Sequence, residues 1–258
     1  MSSELRTRTI VGILLVFLAS AGLYFGGFFF WLLLVIAGVL MQGEWADLAG
    51  ATPEHRRLSM FAVSVPLALL CPLAAGVSWT AFTLMVAAFF FVALITRSLR
   101  LAMGVFYVCV PVMALIFLRQ QEPDNFGLLL AFWALALVWA TDIGAYFSGR
   151  AIGGPKLAPR VSPSKTWAGL GGGVLAALVL GFVLHRFAGL PIQLAAASGL
   201  LAVAAQLGDL LESAMKRRAG VKDSGSLLPG HGGVMDRLDG VATAAPLAAL
   251  LYLFLVFS

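Results

Sequence analysis

Residues 126–147 read FGLLLAFWALALVWATDIGAYF. As a helix, this run is long enough to cross the hydrocarbon core of a bilayer, which is about 30 Å thick and needs about 20 residues. Its one ionisable side chain is Asp142, near the C-terminal end. The run therefore predicts a transmembrane helix ending in a carboxylate. Because an unpaired charge is costly there, Asp142 needs Arg150, a lysine or a metal nearby.

The composition extends this prediction to the whole chain. Hydrophobic residues make up 61% of the 258 residues and charged residues 11%, and the mean hydropathy is +0.98. Soluble domains carry about a quarter of charged residues, so a soluble protein is excluded. We predict an all-α fold, a polytopic integral membrane helical bundle with about nine transmembrane helices, over residues 9–25, 27–42, 59–77, 79–95, 101–118, 126–147, 168–186, 190–211 and 239–257.

Positive charges predict the orientation of this bundle. With a cytoplasmic N-terminus and nine crossings, 15 of the 17 lysines and arginines fall in cytoplasmic segments, and only Arg119 and Arg186 lie outside. Lysine and arginine are enriched on the cytoplasmic side of membrane proteins. The net charge of +5 thus reports orientation, and no nucleic-acid partner is expected. Any active site formed by these loops is therefore expected to face the cytoplasm, and the compact length, with no long soluble extension, favours a bacterial inner (cytoplasmic) membrane.

We predict a single membrane domain over residues 1–258 with two halves. The spans of residues 1–125 are nearly free of ionisable side chains and indicate a scaffold. Residues 126–258 form the catalytic half, with cytoplasmic loops at 148–167 and 212–238. Cys71 and Cys109 each lie inside an apolar run, so we expect neither a structural disulfide nor a cysteine metal site.

Carboxylates cluster in the C-terminal part of the chain. If the eighth span continues past the membrane, four polar residues share one helix face: Asp209, Glu212, Ser213 and Lys216. Asp236 and Asp239 are three residues apart and also face one side. Mg²⁺ prefers carboxylate oxygens and completes its shell with substrate phosphates. Asp209, Asp236 and Asp239 could therefore hold one or two metal ions; the alternative is a set of solvated charges at helix ends.

A glycine-rich turn lies between these carboxylates. Residues 229–233 read Pro-Gly-His-Gly-Gly, which allows the backbone to turn tightly and approach a ligand. Backbone N–H groups in such a turn can bind phosphate, and His231 could donate to a phosphate or act as a general acid. The alternative is that His231 serves only to fix the turn, and many such turns are simple connectors.

The loop before the seventh span combines a helix start with cations. Ser162 or Ser164 can cap the helix, with Pro163 near its first turn. Lys165 and Thr166 follow at this start, where the N–H groups and the helix dipole attract anions. The alternative is an ordinary basic cytoplasmic loop with a helix cap.

The sequence contains no P-loop, no GxSxG elbow and no HExxH pair, and nothing in it indicates a covalent nucleophile. Carboxylates for a metal, cations for phosphate and two cytoplasmic loops favour direct phosphoryl or nucleotidyl transfer. In such reactions the protein mainly positions groups and neutralises charge.

The segment Ser213–Asp239 reads SAMKRRAGVKDSGSLLPGHGGVMDRLD. Over its full length it resembles the signature of the phosphatidate cytidylyltransferases, also called CDP-diacylglycerol synthases. Residues 142–150, 156–159 and 162–167 also resemble a loop of that family. The resemblance implies an integral membrane enzyme that joins CTP to phosphatidic acid with Mg²⁺, giving CDP-diacylglycerol and pyrophosphate. Its partners would be these two substrates and membrane lipid, and a homodimer is compatible with it.

The resemblance also implies roles for single residues. Asp209, Asp236 and Asp239 match metal-binding positions, and three basic residues match positions suited to phosphate: Lys165, Lys222 and Arg237. We predict that the three aspartates, Lys222 and Arg237 are catalytic. We predict substrate binding by Ser162, Ser164, Lys165, Thr166, Ser213, Lys216, His231, Asp142 and Arg150. Ala168 stands where the family commonly has an acidic residue, so no carboxylate acts at that position.

The predicted mechanism is in-line attack by a phosphatidate oxygen on the α-phosphorus of CTP, with pyrophosphate as the leaving group. Two alternatives remain to be distinguished. A CDP-alcohol phosphotransferase also uses paired aspartates, but its pattern does not fit the residues from Asp236 to Gly240. A transporter commonly has inverted repeats and a midplane site, whereas here the acids lie at span ends and no repeat is evident.

Overall fold

The computed structural model describes residues 3–257 and consists of helices joined by short connections. Within these residues there are nine helices and one β-hairpin, which confirms the predicted all-α bundle. In chain order the elements are α1 Ser3–Phe25, α2 Gly27–Leu48, α3 Pro53–Leu69, α4 Trp79–Thr96, α5 Leu99–Arg119, α6 Asp124–Ile152, β1 Lys156–Ala158, β2 Ser162–Thr166, α7 Trp167–Ala188, α8 Ile192–Arg218 and α9 Met235–Phe257.

Eight of the nine helices in the described part of the chain are long and apolar enough to cross a membrane. The exception is α3, which has 17 residues. Large apolar side chains are exposed on the outer helices, as on Phe17 of α1 and Phe187 of α7. Lipid would cover such surfaces in an integral membrane protein. Helices α6 and α8, with 29 and 27 residues, are longer than a crossing needs.

The third span was predicted over residues 59–77, and this boundary is wrong. Helix α3 starts earlier, where the Thr52 side chain accepts a hydrogen bond from the N–H of His55. It ends at Leu69 because Pro72 follows closely and proline disfavours helix in the residue before it. Residues 70–78 are apolar but form turns, so hydropathy alone extended the span too far.

The two predicted loops are also shorter than expected. Helix α6 continues to Ile152 and α8 to Arg218, while α9 begins at Met235. The predicted loop 148–167 is thus a helix end followed by a hairpin, and the predicted loop 212–238 reduces to residues 219–234. Because α6 and α8 end where α7 and α9 begin, we call this end of the bundle the site end.

Glycines allow the site-end helices to pack closely. A Cβ on Gly144 of α6 would lie 2.6 Å from the carbonyl oxygen of Gly172 on α7. A Cβ on Gly208 of α8 would lie 2.5 Å from the carbonyl oxygen of Asp239 on α9. Small residues let membrane helices approach backbone to backbone. The contact at Gly208 brings the adjacent Asp209 close to α9.

Candidate active site

A cleft of about 450 Å³ opens between α6, the hairpin, α7 and α8. In its wall, the Nζ of Lys165 lies 2.5 Å from Oδ2 of Asp209, and Gln206 donates to Oδ1 of Asp142 at 3.3 Å. Apolar side chains such as Leu170 line the same cleft. Six residues predicted for the site line this one cleft: Asp142, Arg150, Ser164, Lys165, Thr166 and Asp209.

The hairpin determines where Lys165 lies. Strands β1 and β2 pair antiparallel, with Lys156 opposite Thr166 and Ala158 opposite Ser162. The helix cap is Thr166, whose Oγ1 accepts a hydrogen bond from the N–H of Gly169 at 3.0 Å. The predicted cap at Ser162 or Ser164 is therefore wrong, because both residues belong to the extended strand β2 and the cap directly precedes α7.

Three carboxylates from three helices form an acidic centre beside the cleft. Asp142 of α6, Asp209 of α8 and Asp239 of α9 lie within electrostatic range of one another, and Lys165 interacts with the group. Ser213, one turn after Asp209, donates to its Oδ1 at 3.2 Å. Like charges repel, so a nearby positive charge stabilises this centre, and Lys165 supplies one through its contact with Asp209.

Asp236 belongs to a second, neighbouring cluster. Its Oδ1 accepts a hydrogen bond from Lys216 at 2.6 Å, and its Oδ2 accepts from the N–H groups of Ser224 and Gly233 at 2.9 and 2.8 Å. Lys216 also lies 3.0 Å from Glu212, whose side chain is 0% exposed. Lys216 thus balances two carboxylates and fixes Asp236 against the 219–234 segment.

The predicted tight turn at Pro229–Gly233 is confirmed. Gly230 and Gly232 have φ angles of 76° and 81°, in the left-handed region that glycine tolerates best. The N–H of Leu228 donates to the carbonyl of Gly232 at 2.9 Å, and that of His231 donates back to Leu228 at 2.8 Å. The N–H groups at the end of the turn and just after it donate to carboxylates of the chain itself, Asp236 and Glu44. These particular N–H groups therefore do not form the predicted phosphate site.

One of those carboxylates, Glu44 of α2, is a residue that the sequence analysis missed. It is buried, and it accepts hydrogen bonds from the N–H groups of Val234 and Met235, each at 2.8 Å. Its one visible signal is a carboxylate in the last turns of an otherwise apolar span, the same signal that drew attention to Asp142.

The other predicted residues do not line the cleft, whereas Arg150 belongs to its wall. Lys222 and Arg237 are exposed, and Arg237 is within electrostatic range of the acidic centre. Arg150 donates to the hydroxyl of Tyr146 at 3.0 Å. His231 buries its Nδ1, for which the described residues provide no hydrogen-bond partner.

The donor chemistry of the acidic centre fits a hard divalent cation, since its ligating atoms are carboxylate oxygens. In residues 3–257 no three acidic, histidine or cysteine side chains are arranged as a ready-made metal site. Of the predicted triad, Asp209 and Asp239 share the acidic centre, whereas Asp236 faces Lys216 and the 219–234 segment. Mg²⁺ commonly uses one or two carboxylates and substrate phosphates, so a complete cage is not required.

The fold defines the class of this protein as a polytopic integral membrane protein with a polar cleft at one end of its helical bundle. The chain belongs to the cytidylyltransferase family, whose model matches residues 6–255. This confirms the resemblance found in the sequence and makes the chain a nucleotidyltransferase.

Several relatives carry the name phosphatidate cytidylyltransferase. The protein of Brucella suis biovar 1 is 40% identical over 261 residues, covering 98% of this chain and 93% of that protein. The protein of Pseudomonas aeruginosa is 39% identical over 277 residues, covering 96% and 97%. The protein of Bacillus subtilis is 45% identical over 145 residues, covering 55% and 53%.

Replacing Lys216 with methionine should destabilise the fold. The change leaves Glu212 and Asp236 buried without their shared cation, and breaking one side of a buried ion pair costs about 3–5 kcal/mol. We expect a lower thermal unfolding temperature in detergent, measured by intrinsic fluorescence. Arg218→Met is the control, because Arg218 is exposed at the end of the same helix. Equal unfolding temperatures for the two variants would refute this role of Lys216.

Proposed function

We propose that this chain acts as a phosphatidate cytidylyltransferase. It transfers CMP from CTP to phosphatidate, leaving CDP-diacylglycerol in the membrane and releasing pyrophosphate. The observation that carries the proposal is the cleft at the site end, where Lys165 and Asp209 meet beside apolar side chains. A site that offers a cation, carboxylates and an apolar wall suits a nucleotide and a lipid head group together.

In the proposed reaction, an ionised phosphate oxygen of phosphatidate attacks the α-phosphorus of CTP. A new P–O bond forms, the bond to the β-phosphate bridging oxygen breaks, and pyrophosphate leaves with that electron pair. No general base is needed, because the attacking oxygen carries no proton. Lys165 leaves Asp209 for a phosphate oxygen, and Arg150 and Arg237 add positive charge at the rim. Lys216 already binds the carboxylates of Glu212 and Asp236, so its proposed role is to hold Asp236 in place.

We infer that Asp209 and Asp239 would hold Mg²⁺; the sequence also predicts Asp236 as a ligand, and its carboxylate lies in the neighbouring cluster, bound to Lys216, Ser224 and Gly233. When bound, the ion would orient the triphosphate and offset the charge that develops on the leaving pyrophosphate. Asp142 adds a third negative charge to the acidic centre and raises its attraction for cations. A second cation remains a prediction from the sequence.

The orientation and the membrane are part of the same proposal. The distribution of basic residues supports a site end that faces the cytoplasm, and the bacterial sources of the relatives favour the inner membrane. The homodimer also stays a prediction, which light scattering on the detergent-purified protein would test.

The experiment for this function measures pyrophosphate release from purified protein in detergent. We expect release only when CTP, phosphatidate and Mg²⁺ are all present, with none after chelation by EDTA. Replacing phosphatidate with diacylglycerol, which lacks the attacking phosphate, should abolish it. Pyrophosphate release without lipid, or none from folded protein with all three present, would contradict the proposal.

A further inference from the structure

Glu44 joins α2 to the segment that precedes α9, across more than half of the chain. Its Oε1 accepts the N–H of Val234 and its Oε2 accepts the N–H of Met235 and the hydroxyl of Ser224, each at 2.8 Å. The side chain is 6% exposed. All three partners are N–H or O–H donors, so the carboxylate accepts hydrogen bonds from the backbone and a hydroxyl group and forms no ion pair with them.

Two of these donors lie at the N-terminus of a helix. Met235 is the first residue of α9, and Val234 directly precedes it. The first N–H groups of a helix have no partner within the helix, and the helix dipole favours a negative charge at that end. Hydrogen bonds to an ionised carboxylate are also stronger than neutral ones. Glu44 therefore caps α9 from another part of the fold.

The glycines beside Glu44 leave just enough room for it. A Cβ on Gly225 would lie 2.9 Å from Oε1 of Glu44. A Cβ on Gly233 would meet both Glu44 and Ser224. A larger residue at either position would push the carboxylate away from its donors, so the glycines of this segment and Glu44 form one fitted contact.

Ser224 links Glu44 to Asp236. Its hydroxyl lies 2.8 Å from Oε2 of Glu44 and 3.0 Å from Oδ2 of Asp236, and its N–H donates to that same Oδ2 at 2.9 Å. Asp236 is the second residue of α9, and Asp239 is one turn further. The position and rotation of this helix start therefore decide where both carboxylates point.

We propose that Glu44 is a positioning residue for nucleotidyl transfer: it fixes Ser224 and the first turn of α9, and through them sets the positions of Asp239 in the acidic centre and of the neighbouring Asp236. This inference rests on the proposed function for its effect on catalysis. It assigns to α2, in the half predicted as scaffold, a direct part in building the site.

The test is Glu44→Gln, which keeps the shape but turns an NH₂ group toward N–H and O–H donors. We expect kcat to fall about 10- to 100-fold, the loss expected from one buried hydrogen bond to a charged group. We expect the KM for phosphatidate to stay within about twofold. The Mg²⁺ concentration for half-maximal rate should rise. Hydrogen exchange, followed by mass spectrometry without substrates, should become faster in residues 224–236 only.

Matched controls separate this effect from general damage. Glu54→Gln changes an exposed glutamate of α3 and should alter neither kcat nor exchange. Gly233→Ala should reproduce the Glu44→Gln effects, whereas Gly171→Ala, where a Cβ meets nothing within 4 Å, should not. If Glu44→Gln does not fold, Ser224→Ala carries the test with the same expected directions.

Wild-type exchange in residues 224–236 of the folded variant, or a kcat within twofold of wild type, would overturn the proposal. Faster exchange with unchanged kcat would show that the contact is structural only and would equally overturn it. Absence of product from the wild-type protein would instead refute the proposed function, and the exchange result would still report on the contact.

Discussion

Asp209→Asn is expected to lower kcat by about 10³-fold. Asparagine keeps the size of the side chain but removes a charge from the acidic centre, where Asp209 lies within electrostatic range of Asp142 and Asp239. A bound metal supplies several kcal/mol of charge stabilisation in the transition state, and about 1.4 kcal/mol corresponds to a tenfold change in rate. The measurement is the steady-state rate of CDP-diacylglycerol formation at several Mg²⁺ concentrations.

Asp47→Asn is the matched control for this variant. Asp47 is an exposed aspartate at the site end of α2, and its described partner is Arg56 at 3.0 Å, outside the cleft. Its rate should stay near the wild-type value. A folded Asp209→Asn protein that retained more than a tenth of the wild-type kcat at saturating Mg²⁺ would contradict the role of this carboxylate.

The second large effect is expected for Lys165→Met. Lys165 provides a positive charge in the cleft wall and is bound to Asp209, so its loss removes a proposed phosphate ligand and leaves Asp209 without its cation. Loss of charge-assisted contacts to the nucleotide should lower kcat/KM for CTP about 100-fold. Initial rates at varied CTP, with phosphatidate held constant, measure this ratio.

Stability should change little in this variant, because the Asp209 side chain is 30% exposed and water can solvate it. Lys156→Met is the control, since Lys156 is exposed in the same hairpin and does not line the cleft. An equal loss of kcat/KM in both variants would show that CTP responds to the total positive charge of the hairpin and not to the position of Lys165. That result would remove the specific role of Lys165.

Much of this fold could be predicted from hydropathy, because spans of apolar residues must be helices in lipid. The failures lie where local hydrogen bonds decide the boundary. Residues 70–77 were assigned to a span, although the helix ends at Leu69, shortly before Pro72. The hairpin at β1 and β2 was missed, because eight residues in two short strands give no periodic signal and the caps were placed on Ser162 or Ser164.

The candidate site was predictable to a similar degree. Residues within one helix turn, such as Asp209 and Ser213, could be assigned to a common face from their spacing alone. The meeting of Asp142, Lys165 and Asp209 needed tertiary structure, although each was selected individually. Glu44 could not be found from spacing, because its partners are backbone N–H groups about 190 residues away.

The central claim is nucleotidyl transfer by the carboxylates of the acidic centre and the neighbouring Asp236, and one labelling experiment tests it most directly. Purified protein is incubated with phosphatidate, Mg²⁺ and CTP labelled at the α-phosphorus, and the label in the lipid phase is counted. An Asp236→Asn sample is run in parallel. We predict label in the lipid that requires Mg²⁺ and is lost in the variant. No lipid label from folded wild-type protein, or undiminished label in Asp236→Asn, would contradict the account.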